Sequence, residues 1–180
     1  MKPSPLCVLV LSGFLFLLSI QAQAADSKPP SALSPVEEAL THITSEDEAV
    51  REAALRTVVE QGDNSLIPRL DEIRANADRT IRQAIKPVMD LLKNRAHLSS
   101  PDADQRRSAA ADLGSTGKSV VVPWLEAALA TEPHRWVRYT IEESLALIRL
   151  ASDNPDDKFK AAIKLGELRS SNAVPALKKL

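Results

Sequence analysis

Apolar residues recur at helical spacing from position 36 onwards, and short polar or proline-containing turns separate the apolar segments. In the segment 48–61, four apolar residues fall on one stripe, which is typical of an amphipathic helix. They are Val50, Ala54, Leu55 and Val58. The pattern predicts about eight helices, with approximate bounds 36–43, 48–61, 66–75, 79–94, 101–114, 121–130 and 135–151 and a last unit that opens at 153–155.

Part of this pattern is periodic. The segment 101–125 returns without a gap 52 residues later and, with fewer identities, 55 residues earlier. Such a period is typical of stacked helical repeats. We therefore expect repeat unit 1 at 45–99, repeat unit 2 at 100–152 and a partial unit 3 at 153–180. Residues of unit 2 that recur in unit 3 include Asp104, Ala109, Leu113, Gly114, Pro123 and Leu125.

Polar residues and prolines mark the expected helix boundaries. Ser65 is predicted to cap the helix that begins at 66, and Asp78 to cap the helix that begins at 79. The segment 100–102 predicts a cap with proline at the first helical position. Pro87 is expected to kink the helix that contains it.

The first 24 residues have the features of a secretory signal peptide. Lys2 precedes an uncharged apolar run over 6–20, and an Ala-x-Ala end follows at 22–24. The run is shorter than the roughly 20 residues of a bilayer span, so we expect cleavage after Ala24; an uncleaved anchor is the alternative. Residues 25–44 are interpreted as a Pro/Ser-rich tether and a short helix. The expected location is the periplasm.

Composition restricts the function classes. A hydrophobic content of 44% and a charged content of 26% are typical of a globular protein, and 3% aromatic residues favour closely packed helices. The formal net charge of -1 provides no general attraction to nucleic acid or anionic membranes. The only cysteine is Cys7, within the predicted signal, so we expect neither a disulfide nor thiol chemistry after cleavage.

Several recurring positions resemble the HEAT-repeat family. They are the polar helix start 102–106, the residues Ala109, Ala110, Leu113 and Gly114, and the segment 122–125, with their counterparts in the other units. The resemblance implies an all-α, HEAT-like right-handed α-solenoid in which charged residues of neighbouring repeats form a polar ladder. The matching positions are Asp47, Arg51, Asp102, Arg106, Asp156 and Lys158. Lysine replaces arginine at 158, and an extra helix lengthens each unit.

The order of signal, tether and three-helix units is also similar to the N-terminal extension of urea-type ABC transporter permeases, in the branched-chain amino-acid permease family. The segments 136–148 and 164–168 carry this likeness. It implies an extracytoplasmic domain ahead of a membrane domain that the sequence does not contain. Because the last predicted helix runs to Leu180 without a cap, we expect the chain to be the front part of a longer protein; dimerisation at that helix is the alternative.

The sequence suggests no catalytic or metal site. The segment 114–119 partly resembles a phosphate-binding loop, but Asp112 stands where that loop needs a glycine, and an Ala-rich helix leads in instead of a strand. We interpret it as a helix–helix turn. The three histidines lie far apart without a partner at i+3 or i+4, so we expect neither a metal site nor a cofactor.

The best candidates for partner binding are Arg135, Trp136, Arg138 and Tyr139. Tryptophan, tyrosine and arginine dominate the binding energy of protein interfaces. The alternative is that Trp136 packs in the core while the arginines bond neighbouring carboxylates. Trp124 is expected in the core.

The sequence therefore predicts a non-enzymatic exported interaction domain, in first place the leading periplasmic part of a urea/amide-type ABC permease. Its protein partners would be other transporter subunits or the solute-binding protein. No nucleic acid is expected, and membrane attachment only through a missing downstream domain or an uncleaved signal. The alternatives are a free-standing periplasmic HEAT-like scaffold and an accessory protein of bilin attachment; export and the lack of a cysteine after cleavage argue against the latter.

Overall fold

The computed structural model describes residues 33–179, which contain nine α-helices and no β-strand. The predicted signal peptide and most of the tether lie outside these residues. No helix within 33–179 is long and apolar enough to cross a membrane. The helices are α1 (Pro35–His42), α2 (Glu48–Gln61), α3 (Ile67–Asn76), α4 (Arg79–His97), α5 (Ala103–Ser115), α6 (Val122–Thr131), α7 (Arg135–Leu150), α8 (Pro155–Glu167) and α9 (Val174–Leu177).

The helices pack in the order in which they follow one another. α1 packs on α2, and α2 and α3 both contact α4. α4 then contacts α5, and α5 and α6 both pack on α7, which also contacts α8. Buried apolar side chains form one cluster from Ala39 to Ile148, and a second cluster joins α7 and α8 to Ala173. The core of residues 33–179 therefore has two parts, and α7 contributes side chains to both.

The same local structure recurs in each predicted unit. The helices α2, α5 and α8 all begin after an Asp or Asn whose side chain accepts a backbone N–H of the first turn. A 3-10 turn precedes α3 and α6, at Asn64–Leu66 and Ser119–Val121. Proline occupies the first turn of α3, α6 and α9, where no helical N–H is lost. The N-cap residues are Asp47, Asp102 and Asn154, and the prolines are Pro68, Pro123 and Pro175.

The capping hydrogen bonds confirm one predicted helix boundary and correct another. Asp78 caps α4 as expected, because its side chain accepts the N–H of Ile81 at 2.8 Å. Ser65 does not cap α3. Its own N–H donates to the Asp63 carboxylate at 2.8 Å, and the chain completes a 3-10 turn before α3 begins.

Two other expectations on position were wrong. Pro101 lies before the N-cap of α5 and not at its first helical position, because Asp102 supplies the capping carboxylate. Val50 is 39% exposed, because it lies at the edge of a groove between α2 and the short helix α1, which covers α2 only in part. Pro87 lies inside α4, which continues on both sides of it.

Candidate functional site at the start of α7

The predicted partner-binding residues lie on the first two turns of α7. Val137 and Ile141 of the same helix are almost fully buried and fix its rotation against the core. Trp136, one position before Val137, therefore faces outwards and is 53% exposed. The alternative in which Trp136 packs in the core is therefore wrong. We call Arg135, Trp136, Arg138 and Tyr139 the tryptophan surface.

The aromatic rings of the tryptophan surface are held in place by their neighbours. The Trp136 and Tyr139 rings meet edge to face, with 6.4 Å between centroids and an interplanar angle of 69°. The guanidinium carbon of Arg135 lies 4.7 Å from the centroid of the Trp136 ring, within cation–π distance. A large aromatic side chain is thus exposed to solvent while its ring contacts Arg135 and Tyr139.

The charge at the start of α7 is opposite to what a helix favours. The N-terminus of a helix carries partial positive charge and favours acidic residues. The helices α1, α2, α5 and α8 follow this rule. The first turn of α7 has no acid and contains two arginines, and α4 begins in the same way with Arg79 and Arg82. Arg138 is partly compensated, since its Nη1 donates to the carbonyls of Leu129 and Glu132 at 3.3 Å each.

A comparison with α4 separates the repeated features from the unique ones. The arginines recur 56 residues earlier as Arg79 and Arg82, so they belong to the repeat pattern. Thr80 and Gln83 stand at the positions of the two aromatic residues. The aromatic pair is therefore specific to α7, and the polar residues at its place in α4 could not form the same surface.

A buried ion pair anchors the α6–α7 turn, which directly precedes the tryptophan surface. Nε and Nη2 of Arg106 donate to the two carboxylate oxygens of Glu132 at 2.7 and 2.9 Å. The side chain of Glu132 is only 3% exposed, and it also accepts the N–H of His134 at 2.9 Å. Two-point contact with a planar guanidinium fixes both distance and orientation. α5 therefore positions the first residues of α7.

The same contacts shift the pKa values of this pair. The hydrogen bonds from Arg106 lower the pKa of Glu132 from its ordinary value of 4.5, against the opposing effect of burial. The pKa of Arg106 is raised in turn, first by its hydrogen bonds to Glu132. Both groups are charged at neutral pH, so the anchor is an ion pair under ordinary conditions.

Below the tryptophan surface, a buried polar network joins α7 to the α8–α9 turn. Glu143 is 7% exposed and accepts a hydrogen bond from the hydroxyl of Ser170 and a weaker one from Asn172 at 3.4 Å. The pKa of Tyr139 is raised, first by partial burial and then by the negative charge of Glu143. Tyr139 thus links the exposed surface to a fixed carboxylate one turn further along the helix.

A groove lies beside the α6–α7 turn, with a volume of about 540 Å³. Trp124 lines it and is half-buried, so its expected place in the core is wrong in part. The guanidinium carbon of Arg95 lies 4.8 Å from the Trp124 ring centroid, and Arg95 also donates to the carbonyl of Gly62 at 2.7 Å. The contact between Arg95 and Trp124 joins α4 to α6, while the Trp124 side chain also lines the groove.

The residues predicted for a polar ladder have local partners in this structure. Asp47 and Asp102 accept backbone N–H groups as helix caps. Arg51 donates to the carbonyl of Ser45 at 2.9 Å, and Arg106 donates to that of Ser100 at 2.8 Å, which is the equivalent atom 55 residues later.

In the third unit the corresponding positions differ. The cap of α8 is Asn154, which accepts the N–H of Asp156 at 3.0 Å, so Asp156 is a first-turn acid and not the cap. Lys158 stands at the position of Arg106. In the first two units, by contrast, the acid and the base both bond backbone groups of one helix start.

No sequence pattern marks the acidic partners of this site. Glu132 and Glu143 bond residues that lie 26 and 27 positions away along the chain. Arg106 occupies the same position in its unit as Arg51 and Lys158 do in theirs. This recurrence is the one sequence feature that indicates a structural role for Arg106. Within residues 33–179 no group of three or more His, Cys, Asp or Glu is placed to hold a metal ion.

No family model, curated protein or solved structure significantly matches this chain. What can be said of its function therefore rests on the chain's own residues and on their arrangement.

Proposed function

We propose that this chain is a non-catalytic exported interaction module that binds a protein partner through the tryptophan surface. The observation that carries the proposal is Trp136, a large aromatic side chain that is 53% exposed on an otherwise well-packed helix. Exposed tryptophan and arginine side chains in fixed positions are the usual centres of protein interfaces. Arg135 and Tyr139 supply the rigidity, since both contact the Trp136 ring.

A HEAT-like solenoid is the architecture that we propose for this module. Two features support it: the order in which the helices contact one another, and the recurrence of cap, 3-10 turn and proline at equivalent positions. In such an array each repeat contacts only its neighbours. Equivalent side chains of successive repeats then form a continuous surface on which a partner can bind.

The cellular context that we propose is the leading periplasmic part of a urea/amide-type ABC permease. It is supported by the sequence likeness of 136–148 and 164–168 to such extensions and by the predicted signal peptide. The partner would then be the solute-binding protein or another transporter subunit. The coding DNA beyond the codon for Leu180 tests this context. The proposal predicts an open frame with several apolar stretches of about 20 residues, whereas a stop codon would favour a free-standing periplasmic scaffold.

The binding role itself can be tested without knowledge of the partner. A photo-reactive phenylalanine analogue at the exposed position of His134 lies next to the tryptophan surface; the same analogue at exposed Lys93 on α4 is the control. We expect light to attach one abundant protein to the first position and not to the second when the chain is expressed in its source organism.

The captured protein is then purified and titrated against variants of the chain. Trp136→Ser and Arg135→Ala should each weaken its binding by tenfold or more, which corresponds to about 1.4 kcal/mol, without a change in melting temperature. A lower melting temperature with unchanged binding would show that these residues serve the fold and would overturn the proposal.

A further inference from the structure

The chain contains two tryptophans, and both lie beside the α6–α7 turn. Trp124 lines the groove of about 540 Å³, and Pro133 of the turn lines it as well. We call this groove the Trp124 groove. Trp136 follows Pro133 by three residues, so the backbone between them spans at most about 11 Å. The Trp124 groove and the tryptophan surface therefore lie close together.

Each tryptophan ring has an arginine on its face. The guanidinium carbon of Arg95 lies 4.8 Å from the Trp124 ring centroid, and that of Arg135 lies 4.7 Å from the Trp136 ring centroid. A guanidinium that stacks on an aromatic ring keeps the N–H donors along its edge, and these donors match the two oxygens of a carboxylate. The same arrangement thus occurs twice, once in the groove and once beside it.

Both arginines keep donors for a ligand. A guanidinium has five N–H donors, and Arg95 uses one of them on the carbonyl of Gly62 at 2.7 Å. Neither Arg95 nor Arg135 forms an ion pair with an acid of residues 33–179. Each stacked guanidinium can therefore accept a carboxylate from another molecule.

The surroundings of the two arginines are basic. The Trp124 groove and the tryptophan surface together contain four arginines and one acid. That acid, Glu132, is already paired with Arg106 at 2.7 Å. Asp102, whose charge also reaches Arg106, caps α5. Three arginines are thus left without a carboxylate partner in a chain whose formal net charge is -1. The complementary charge on a partner is negative.

Between these charges the wall of the groove is uncharged. The α6 residues that line it are Pro123, Trp124, Ala127, Ala128 and Thr131. The small alanine side chains leave room for an apolar side chain of a ligand against the indole. The groove therefore suits a segment in which acidic residues flank an apolar one.

We propose that the protein partner binds through an acidic segment that spans the Trp124 groove and the tryptophan surface. One carboxylate of this segment pairs with the edge of Arg95, and a second pairs with the edge of Arg135. An apolar side chain between them packs on Trp124. The inference rests on the proposed function, since it names the chemistry of the segment that the tryptophan surface binds.

A peptide library tests this chemistry. A phage-displayed library of random peptides of about twelve residues is selected on the protein that accumulates when all 180 residues are expressed. We expect the enriched peptides to share at least two acidic residues that flank an apolar one. Enrichment of basic peptides, or no enrichment, would overturn the proposal.

The dissociation constant of the most enriched peptide, made synthetically, then identifies the arginines. Intrinsic fluorescence measures it, because both tryptophans lie in the proposed site. Arg95→Gln and Arg135→Gln should each raise it by tenfold or more, and added salt should raise it as well. Arg79→Gln is the matched control and should have no effect. Arg79 occupies the position of Arg135 at the start of α4, but Thr80 follows it in place of a tryptophan.

Two further measurements separate carboxylate recognition from folding and from general attraction of anions. Arg135 is exposed, so Arg135→Gln should leave the melting temperature unchanged, whereas Arg95→Gln should lower it, because Arg95 also bonds the Gly62 carbonyl. Arg95→Lys keeps the positive charge but lacks the planar edge, so it should weaken peptide binding nearly as much as Arg95→Gln. Full binding by Arg95→Lys, or equal competition by a single-stranded oligothymidylate, would overturn the proposal.

The inference and the proposed function fail in different ways on the protein captured beside position 134. If Trp136→Ser weakens its binding and Arg95→Gln does not, the tryptophan surface binds the partner and the acidic segment across the groove is wrong. If Trp136→Ser leaves the binding unchanged, the proposed function fails and the inference fails with it.

Discussion

At the scale of single residues, two glycines in equivalent positions of α5 and α8 have opposite surroundings. A Cβ at Gly114 would lie 2.3 Å from Oγ and 3.0 Å from Cα of Ser144, whereas a Cβ at Gly166 meets nothing. Gly114→Ala should therefore lower the free energy of unfolding by about 1–3 kcal/mol, since α7 has to move. Gly166→Ala should raise it by about 0.5–1 kcal/mol, since alanine favours a helix. Urea unfolding measures both, and changes of the same sign would contradict the packing described.

A second pair concerns backbone conformation after α5 and α8. Gly117 and Arg169 stand 52 residues apart and both have positive φ, 64° and 52°. A residue with a Cβ destabilises the folded chain by about 1–2 kcal/mol in this region. Glycine avoids this strain, but it also makes the unfolded chain more flexible, which offsets part of the gain. We expect Arg169→Gly to stabilise by about 0.5–1 kcal/mol and Gly117→Ala to destabilise by a similar amount. Arg169→Lys is the control and should leave the unfolding midpoint in urea unchanged.

Residue-level prediction from sequence succeeded where the interaction is local. The cap formed by Asp78 needs only the next three residues, and its pattern was recognised. The exposure of Val50 and Trp136 depends on how much of each helix its neighbours cover, and periodicity does not contain that information. Arg169 illustrates the same limit, because no turn residue marks its positive φ in the sequence.

At the scale of helices and turns, the ion pair of Arg106 and Glu132 joins α5 to the α6–α7 turn. The pKa of Glu132 is below its ordinary 4.5 in the folded chain. Such a depressed acid adds stability that is complete above the unfolded pKa and is lost as pH falls through the folded pKa. Stability should therefore decrease below about pH 4.5, as unfolding in urea at neutral and acidic pH will show.

Neutral variants separate this pair from the other acids. Glu132→Gln leaves Arg106 without its charged partner and should cost about 3 kcal/mol at neutral pH, with a weaker dependence on acid pH. Glu126→Gln is the control, because Glu126 pairs with Arg149 at a site where both side chains are about half exposed, and its loss should cost less than about 1 kcal/mol. Equal effects of the two changes would contradict the anchoring role of Glu132.

Helix order followed from apolar spacing, because each helix has its own stripe and is separated by polar turns. About eight helices were expected, whereas residues 33–179 contain nine. The 3-10 turns before α3 and α6 were not foreseen, since they depend on a carboxylate two residues earlier or on backbone geometry alone. The partners of Arg106 were missed for a different reason. Glu132 and the Ser100 carbonyl meet the guanidinium only when α5 and the α6–α7 turn pack together.

At the scale of the whole molecule, the helices of residues 33–179 contact helices that are close to them in the sequence, and their buried apolar side chains form two clusters. The tryptophan surface lies at the start of α7, which contacts both α5 and α8. The helix that carries the proposed partner site therefore belongs to both clusters.

The sequence predicts which residues form the proposed partner site but not how they are arranged. Residue type alone selects Arg135, Trp136, Arg138 and Tyr139 and leaves the burial of Trp136 open. The exposed indole, the Arg135 stack and the anchoring turn depend on the packing of α5 and α6 against α7. The identity of the proposed partner depends on a complementary surface on another molecule, and no motif in these residues indicates it.

The most direct test of the proposed function is a paired measurement on Trp136→Ser: its dissociation constant for the protein captured beside position 134, and its melting temperature. Our account predicts binding weakened by tenfold or more, about 1.4 kcal/mol, with the melting temperature of the unaltered chain. Unchanged binding together with a lower melting temperature would contradict it and would make Trp136 a structural residue.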